Sequence, residues 1–482
     1  MTDIQHIPSL DPDNWDNFRA RAHQMLESAI DQMAHAGEGR VWTEPPDDLK
    51  TLPPIPVQGD AAQTDTQMKA LLPYGVGNTH PRFFGWVHGS GTPSNIIADM
   101  VAGAMNANLG GRDHGAIYIE KQVVSWCKAM FGFPETASGL VVSGTSIATL
   151  IALKSARDRM NNFATRASGV QPGLVGYTST QTHSCVARTF DMLGLGSDAL
   201  RKIPVNDAFE MDTVALQAAI DADRAAGLTP FAIIGTAGAV NVGAIDDLDT
   251  LADIAATENL WFHVDGAFGA TAILSDKIKP RLTGLTRADS IAFDFHKWLH
   301  VNYDAGFILI RDEDAHRRAF SERPDYLAAA DRGLAAGNPW PTEYGPELSR
   351  GFRALKIWAQ LSEHGTDKLG QLITQNCNQA QYLADKVNAD PAFELCAPVA
   401  LNICCFRFTA PDVDLSRLNA EIVIQLQLDG VAAPSTTVLN GNTVIRVNIT
   451  NHRTAYSDLD ILLKATHSIG TKLVLERSFA TT

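Results

Sequence analysis

The chain has 482 residues, 45% hydrophobic and 19% charged, with a formal net charge of −15. That length exceeds one small core and predicts two or three domains. The negative balance, with no basic cluster against it, argues against DNA, RNA or an anionic membrane as partner, and six cysteines in so long a chain make no disulfide framework.

Taken from the N-terminus, MTDIQHIPSLDPDNW lacks the apolar core of a signal peptide. Trp15, Phe18, Ala22, Met25, Leu26, Ile30 and Met33 then recur at helical spacing, with Asp11-Pro12 as the expected start and Gly37 as the stop. This amphipathic helix must bury its stripe on its own body or on a partner subunit. EPPDDLKTLPPIPVQGDAAQTD follows and reads as an extended connector, since proline excludes helix interiors and central strands. From about residue 98 to 311 short apolar runs (GLVV, FAIIGTA, LWFHVD, SIAFDF, GFILI) alternate with helix-like segments (IATLIALKSARDR, DDLDTLADIAATENL). That alternation predicts βα units and a mainly parallel sheet. Beyond about residue 360, a helical stretch and the runs LNICCFRF and NTVIRVNIT predict a smaller α+β domain. The expected division is 1–90, 91–360 and 361–482. No apolar run is long enough to span a bilayer, so a cytoplasmic protein is expected and the sequon at Asn448 is a chance match.

Four stretches fall at strand ends and helix starts, where α/β sheets bind ligands. GLVVSGTSIATL runs a strand into Ser143, Gly144, Thr145 and Ser146 at a helix start, an anion site by its free N–H groups. LWFHVDGAFGA ends a strand on Asp265, a carboxylate that needs a partner if buried, with small residues beside it. YTSTQTHSC carries His183. SIAFDFHKWLHVNYDAGFILIR sets Lys297 between two apolar runs. Each has a plain alternative: an N-cap, a turn-capping Asp, a structural histidine, a solvated lysine. Together they supply an anion cradle, a carboxylate, a flat surface and an amine, which is what pyridoxal 5′-phosphate (PLP) requires. His296 and His300 lack a third ligand, so no metal is expected.

HVDGAFGA followed by ADSIAFDFHKWLHVNYDAG resembles the group II PLP-dependent decarboxylases, the aromatic-amino-acid, histidine and glutamate enzymes. HPRFF, SGTSIATL, PDYL and FRALKIW follow in the family's order. The resemblance implies aminotransferase fold type I, with a seven-stranded, mainly parallel sheet, a smaller C-terminal α+β domain and an N-terminal helical segment. It implies PLP as cofactor, a homodimer, and decarboxylation of an L-amino acid, with aromatic ones among the substrates. By position, Lys297 condenses with the coenzyme aldehyde, Asp265 pairs with the ring nitrogen, and Ala267 lies against the ring. His183 stacks on its other face, and Thr145, Ser146 and His296 hold the phosphate. Tyr326 corresponds to the mobile-loop tyrosine that supports protonation. Trp86, His88, Asn106 and Asn108 fall where the substrate side chain approaches.

Two departures stand out. The family's usual Asn-Pro before His-Lys is Asp294-Phe295 here, and Ala237-Gly238 replaces its usual hydroxyl residue after Gly-Thr. The alternative chemistries are a PLP-dependent aldehyde synthase or lyase. A nicotinamide dehydrogenase would rest on Gly194, Gly196 and Ala199, a loose GxGxxA in the reverse of a Rossmann context. A non-catalytic scaffold would not need the Lys, Asp, His and Tyr set.

Overall fold

The computed structural model describes residues 9–52, 54–322 and 330–476. Among the described residues, twelve strands fall into two sheets: β1 (Phe83–Phe84), β2 (Ser138–Val142), β3 (Leu174–Ser179), β4 (Leu200–Ile203), β5 (Thr229–Thr236), β6 (Trp261–Asp265), β7 (Ser290–Asp294), β8 (Gly306–Ile310), β9 (Phe393–Leu395), β10 (Ile403–Phe408), β11 (Ala433–Leu439) and β12 (Asn442–Asn448). The larger sheet has the order β2-β8-β7-β6-β5-β3-β4. Its strands pair in parallel except at β8, which runs antiparallel to both neighbours.

The central strands are buried along their length. This explains why they read as continuous apolar runs rather than alternating ones: helices cover both faces of a parallel sheet. Helix Thr145–Met160 is one of these covers. Ala148, Ile151, Ala152, Leu153 and Ala156 are buried, and so are the polar Thr149, Ser155, Arg157 and Asp158, so it is enclosed on most sides. Val142, Thr236, Asp265 and Asp294 end parallel or edge strands on the same side of the sheet, and this rim holds the site.

The smaller sheet, β1-β11-β12-β10-β9, draws its first strand from far upstream. Phe83 and Phe84 pair in parallel with Ala433 and Pro434, so part of the 1–90 segment belongs to the C-terminal sheet. Helix Ala354–Ala389 runs across the expected boundary at 360 and breaks at Gly365, whose φ of 69° is left-handed.

The N-terminal helix spans Trp15–Ala34 and begins at Asn14, whose side chain accepts from the Asp16 and Asn17 N–H groups, rather than at Asp11-Pro12. None of its residues is buried, and Trp15, Phe18 and Ile30 are exposed. The connector departs from the extended reading. Residues Asp47–Lys50 form one helical turn, and helix Ala61–Leu71 starts after the cap Asp60. Pro46 precedes its turn, where a missing N–H costs nothing.

Candidate active site

The Lys297 loop is fixed from both sides. Phe293, Phe295 and Phe307 pack together at 5.0–6.1 Å. The Phe295 N–H donates to the Ala305 carbonyl at 2.9 Å. Phenylalanine thus holds the turn by packing and by a bond that proline could not make. Buried Trp298 donates its indole N–H to Asn376 at 2.9 Å, tying the loop to helix Ala354–Ala389.

Around the lysine is a cavity of about 320 Å³, lined among others by Trp86, Thr145, His183, Asp265, Asp294 and Lys297. Ser146, Ala267 and Gly238 line it too. Lys297 Nζ lies 2.8 Å from Asp294 Oδ2. Burial alone would lower the lysine's pKa, but the Asp294 carboxylate, helped by Asp265, more than offsets that and leaves it raised. Asp265 is 3% exposed and its Oδ1 accepts the Ala267 N–H at 3.2 Å. Burial pushes its carboxyl up, against the pull of Lys297 and His183. Cys185 Sγ stands 3.9 Å from the other carboxylate oxygen.

Helix Thr145–Met160 points its N-terminus into this cavity. Its first N–H, on Thr145, donates to Asp294 Oδ1 at 2.7 Å. The Thr145 hydroxyl is buried and has no hydrogen-bond partner. An unpaired buried hydroxyl beside helix-terminal N–H groups suits a phosphate. The donor set therefore fits PLP: an anion cradle, a carboxylate across the cavity, an amine between them, and Ala267 and Gly238 leaving room for a flat ring. His296 is buried. Its Nδ1 accepts the Ala305 N–H at 3.0 Å, which leaves Nε2 3.6 Å from Asp294 Oδ2. Burial lowers its pKa. His183 caps helix Ser184–Met192 and lines the cavity as well.

Aromatic rings cluster next to the cavity; of Trp86, His88 and Tyr303, Trp86 is the one that lines it. His88 stands 6.0 Å from Trp86 and 5.8 Å from Tyr303, ring centre to ring centre, and Tyr303 lies 4.4 Å from His296. Trp86 is 54% exposed and left-handed at φ 49°. Arg446 holds it there by donating to its carbonyl at 2.8 Å. Burial, then Lys297 and His296, lowers the His88 pKa.

Asn106 and Asn108 do not line this cavity within one chain. Asn106 closes helix Ser94–Met105 in a left-handed turn, and the Asn108 side chain accepts from Gly110 and Arg350 N–H groups. Tyr326 lies outside the described residues. Tyr303 and Arg446 are additions that the sequence reading missed. The aromatic in LHVNYDAG was a usable signal for the first, and nothing local marked the second. Among the described residues no cluster of three or more His, Cys, Asp or Glu is placed to hold a metal, and no helix is long and apolar enough to cross a membrane.

These features have counterparts in known proteins. Residues 46–409 match the family model of the pyridoxal-dependent decarboxylase conserved domain. An aromatic-L-amino-acid decarboxylase of Bacillus atrophaeus is 35% identical over 395 residues, covering 80% of this chain and 80% of the relative. The aromatic-L-amino-acid decarboxylase of Sus scrofa is 30% identical over 444 residues, 86% of this chain and 89% of its own. The crystal structure of Oryza sativa TDC with PLP and tryptamine superposes with a TM-score of 0.85 at 25% identity, covering 96% of this chain and 100% of that one. The chain belongs to the pyridoxal-dependent decarboxylase family. It is a PLP-dependent amino-acid carboxy-lyase of fold type I.

Proposed function

We propose that the substrate is an aromatic L-amino acid, taken by a site in which Lys297 binds the coenzyme. The observation that carries this is the rim of Trp86, His88 and Tyr303 beside the Lys297 cavity. Flat rings stack on such surfaces, with about 0.5–1.5 kcal/mol per pair beyond area burial. The Bacillus atrophaeus and Sus scrofa relatives are named for aromatic L-amino acids, which supports the same reading.

PLP, when bound, supplies a ring that accepts the electron pair released as the bond from Cα to the carboxylate breaks. Asp265 keeps a proton on the ring nitrogen by charge pairing. Ala267 and His183, which line the cavity, would hold the ring between them. Thr145, Ser146 and His296 hold the phosphate. Lys297 is the amine that would hold the coenzyme and, with His183, is one of the described groups able to carry a proton to the reacting carbon. The neutral imidazole of His88 and the indole of Trp86 orient the substrate side chain.

The working form is a homodimer. Helix Ser94–Met105 exposes Ile97 at 64%, Met100 at 54% and Met105 at 48%, an apolar face at the end of which Asn106 stands. Covering it with a second copy is the route by which Asn106 and Asn108 approach a site. All six cysteines are unpaired thiols, which supports a cytoplasmic setting.

A panel of L-amino acids tests the substrate class, with amine and CO₂ measured together. Tryptophan, tyrosine, phenylalanine and dihydroxyphenylalanine should give the highest kcat/KM. A preference for glutamate or another acidic amino acid would overturn the reading.

A further inference from the structure

The anion cradle already has a carboxylate on it. Asp294 ends β7 with its side chain 3% exposed. One oxygen accepts the Thr145 N–H at 2.7 Å, and the other lies 2.8 Å from Lys297 Nζ. So a single side chain engages both the helix N-terminus and the amine. Glycine backbone borders it: a Cβ built on Gly306 would stand 2.8 Å from Asp294 Oδ1, and one on Gly144 3.7 Å from it. The unpartnered Thr145 hydroxyl in the same cavity marks this terminus as a place for an anionic ligand. A phosphate group carries about −1.5 to −2 charges near neutral pH. It would seek the donor that Asp294 uses and meet a like charge there.

We propose that Asp294 sets the coenzyme affinity of this enzyme: its carboxylate competes with the coenzyme phosphate for the N-terminus of helix Thr145–Met160 and opposes its charge. The inference rests on the reading of Thr145 and Ser146 as phosphate holders. The same carboxylate, with help from Asp265, stabilises the half-buried Lys297 ammonium. Pairing with the lysine and repelling the phosphate are therefore two consequences of one residue.

The probe is pyridoxine 5′-phosphate, which has the ring and the phosphate but an alcohol in place of the aldehyde. Its affinity reports the cradle without any bond to Lys297. Full-length enzyme freed of coenzyme by dialysis is titrated at pH 8 by calorimetry. Asp294→Asn keeps the shape and the acceptor for Thr145 but removes the charge. It should bind the probe about tenfold or more tighter than wild type, and inorganic phosphate should move in the same direction. Asp294→Ser asks the same question if the Asn form fails to fold, which circular dichroism decides. Equal or weaker binding in a folded neutral variant overturns the proposal. Thr145→Ala should weaken the probe in the wild-type background. If it has no effect, the cradle reading and the proposal fall together; if it weakens binding while the neutral variants gain nothing, only the proposal falls.

Discussion

Two buried carboxylates act on Lys297, and their partners divide the work between them. Asp294 is in contact with the ammonium and the helix N-terminus. Asp265 is braced by the Ala267 N–H at the end of β6, where a ring nitrogen can meet it. In the proposed role, neutralising Asp265 removes the charge that would keep a ring proton in place, but little volume changes. Asp265→Asn should therefore retain coenzyme and lose about 100-fold or more in kcat, equivalent to about 2.7 kcal/mol of transition-state stabilisation. Steady-state kinetics beside coenzyme absorbance would check this, and a variant within threefold of wild type would remove Asp265 from the role. The same residues show what sequence can carry. Asp265 and Lys297 were legible because each interrupts or follows an apolar strand, where a charge needs a reason. Tyr303 and Arg446 were not, since their roles come from contacts that only the fold makes. Arg446 reaches Trp86 from 360 positions away.

At the scale of elements, the site depends on strands and helix starts that meet without spare room. Gly306 opens β8 against the turn before helix Thr145–Met160; an added Cβ would come within 2.7 Å of the Gly144 nitrogen. Backbone cannot yield as a side-chain tip can, so Gly306→Ala should cost about 1–3 kcal/mol of stability and reduce coenzyme occupancy. Chemical denaturation with a coenzyme assay would measure both, and wild-type values for the two would contradict the packing argument. The terminal helix Trp15–Ala34 makes a different prediction. Its stripe was legible as a period, yet the sequence left open what covers it. The fold leaves Trp15, Phe18 and Ile30 exposed, available to the second copy in the proposed homodimer. Deleting residues 1–40 should shift the protein towards monomer in sedimentation and lower activity. A dimer of full activity after deletion would free the helix of that role. The connector was misread for a physical reason. Its prolines forbid helix where they stand, but Asp47–Lys50 and Ala61–Leu71 begin just beyond such breaks.

Across the whole molecule, buried histidines govern the response to acid. Burial lowers His80 and His452 to about 4 and His263 and His316 to about 3, from an ordinary 6.5. A group whose folded pKa is depressed in this way binds protons more readily when unfolded. Stability is therefore lost as pH falls below about 6.5, at up to about 1.4 kcal/mol per pH unit for each histidine. Asp246, pushed up to about 6 by burial, works the other way, but over a narrower span than the four histidines together. The melting temperature should fall steadily from pH 7 to pH 5, and a rise over that range would contradict this balance.

The proposed chemistry requires that Lys297, set at the rim of the parallel sheet, carry the coenzyme. Borohydride reduction of the holoenzyme, followed by proteolysis and mass spectrometry of the labelled peptide, tests this most directly. The pyridoxyl group should sit on Lys297, in the peptide containing SIAFDFHKW. A label on another lysine, such as Lys154 or Lys356, or an unlabelled active enzyme, would contradict the account.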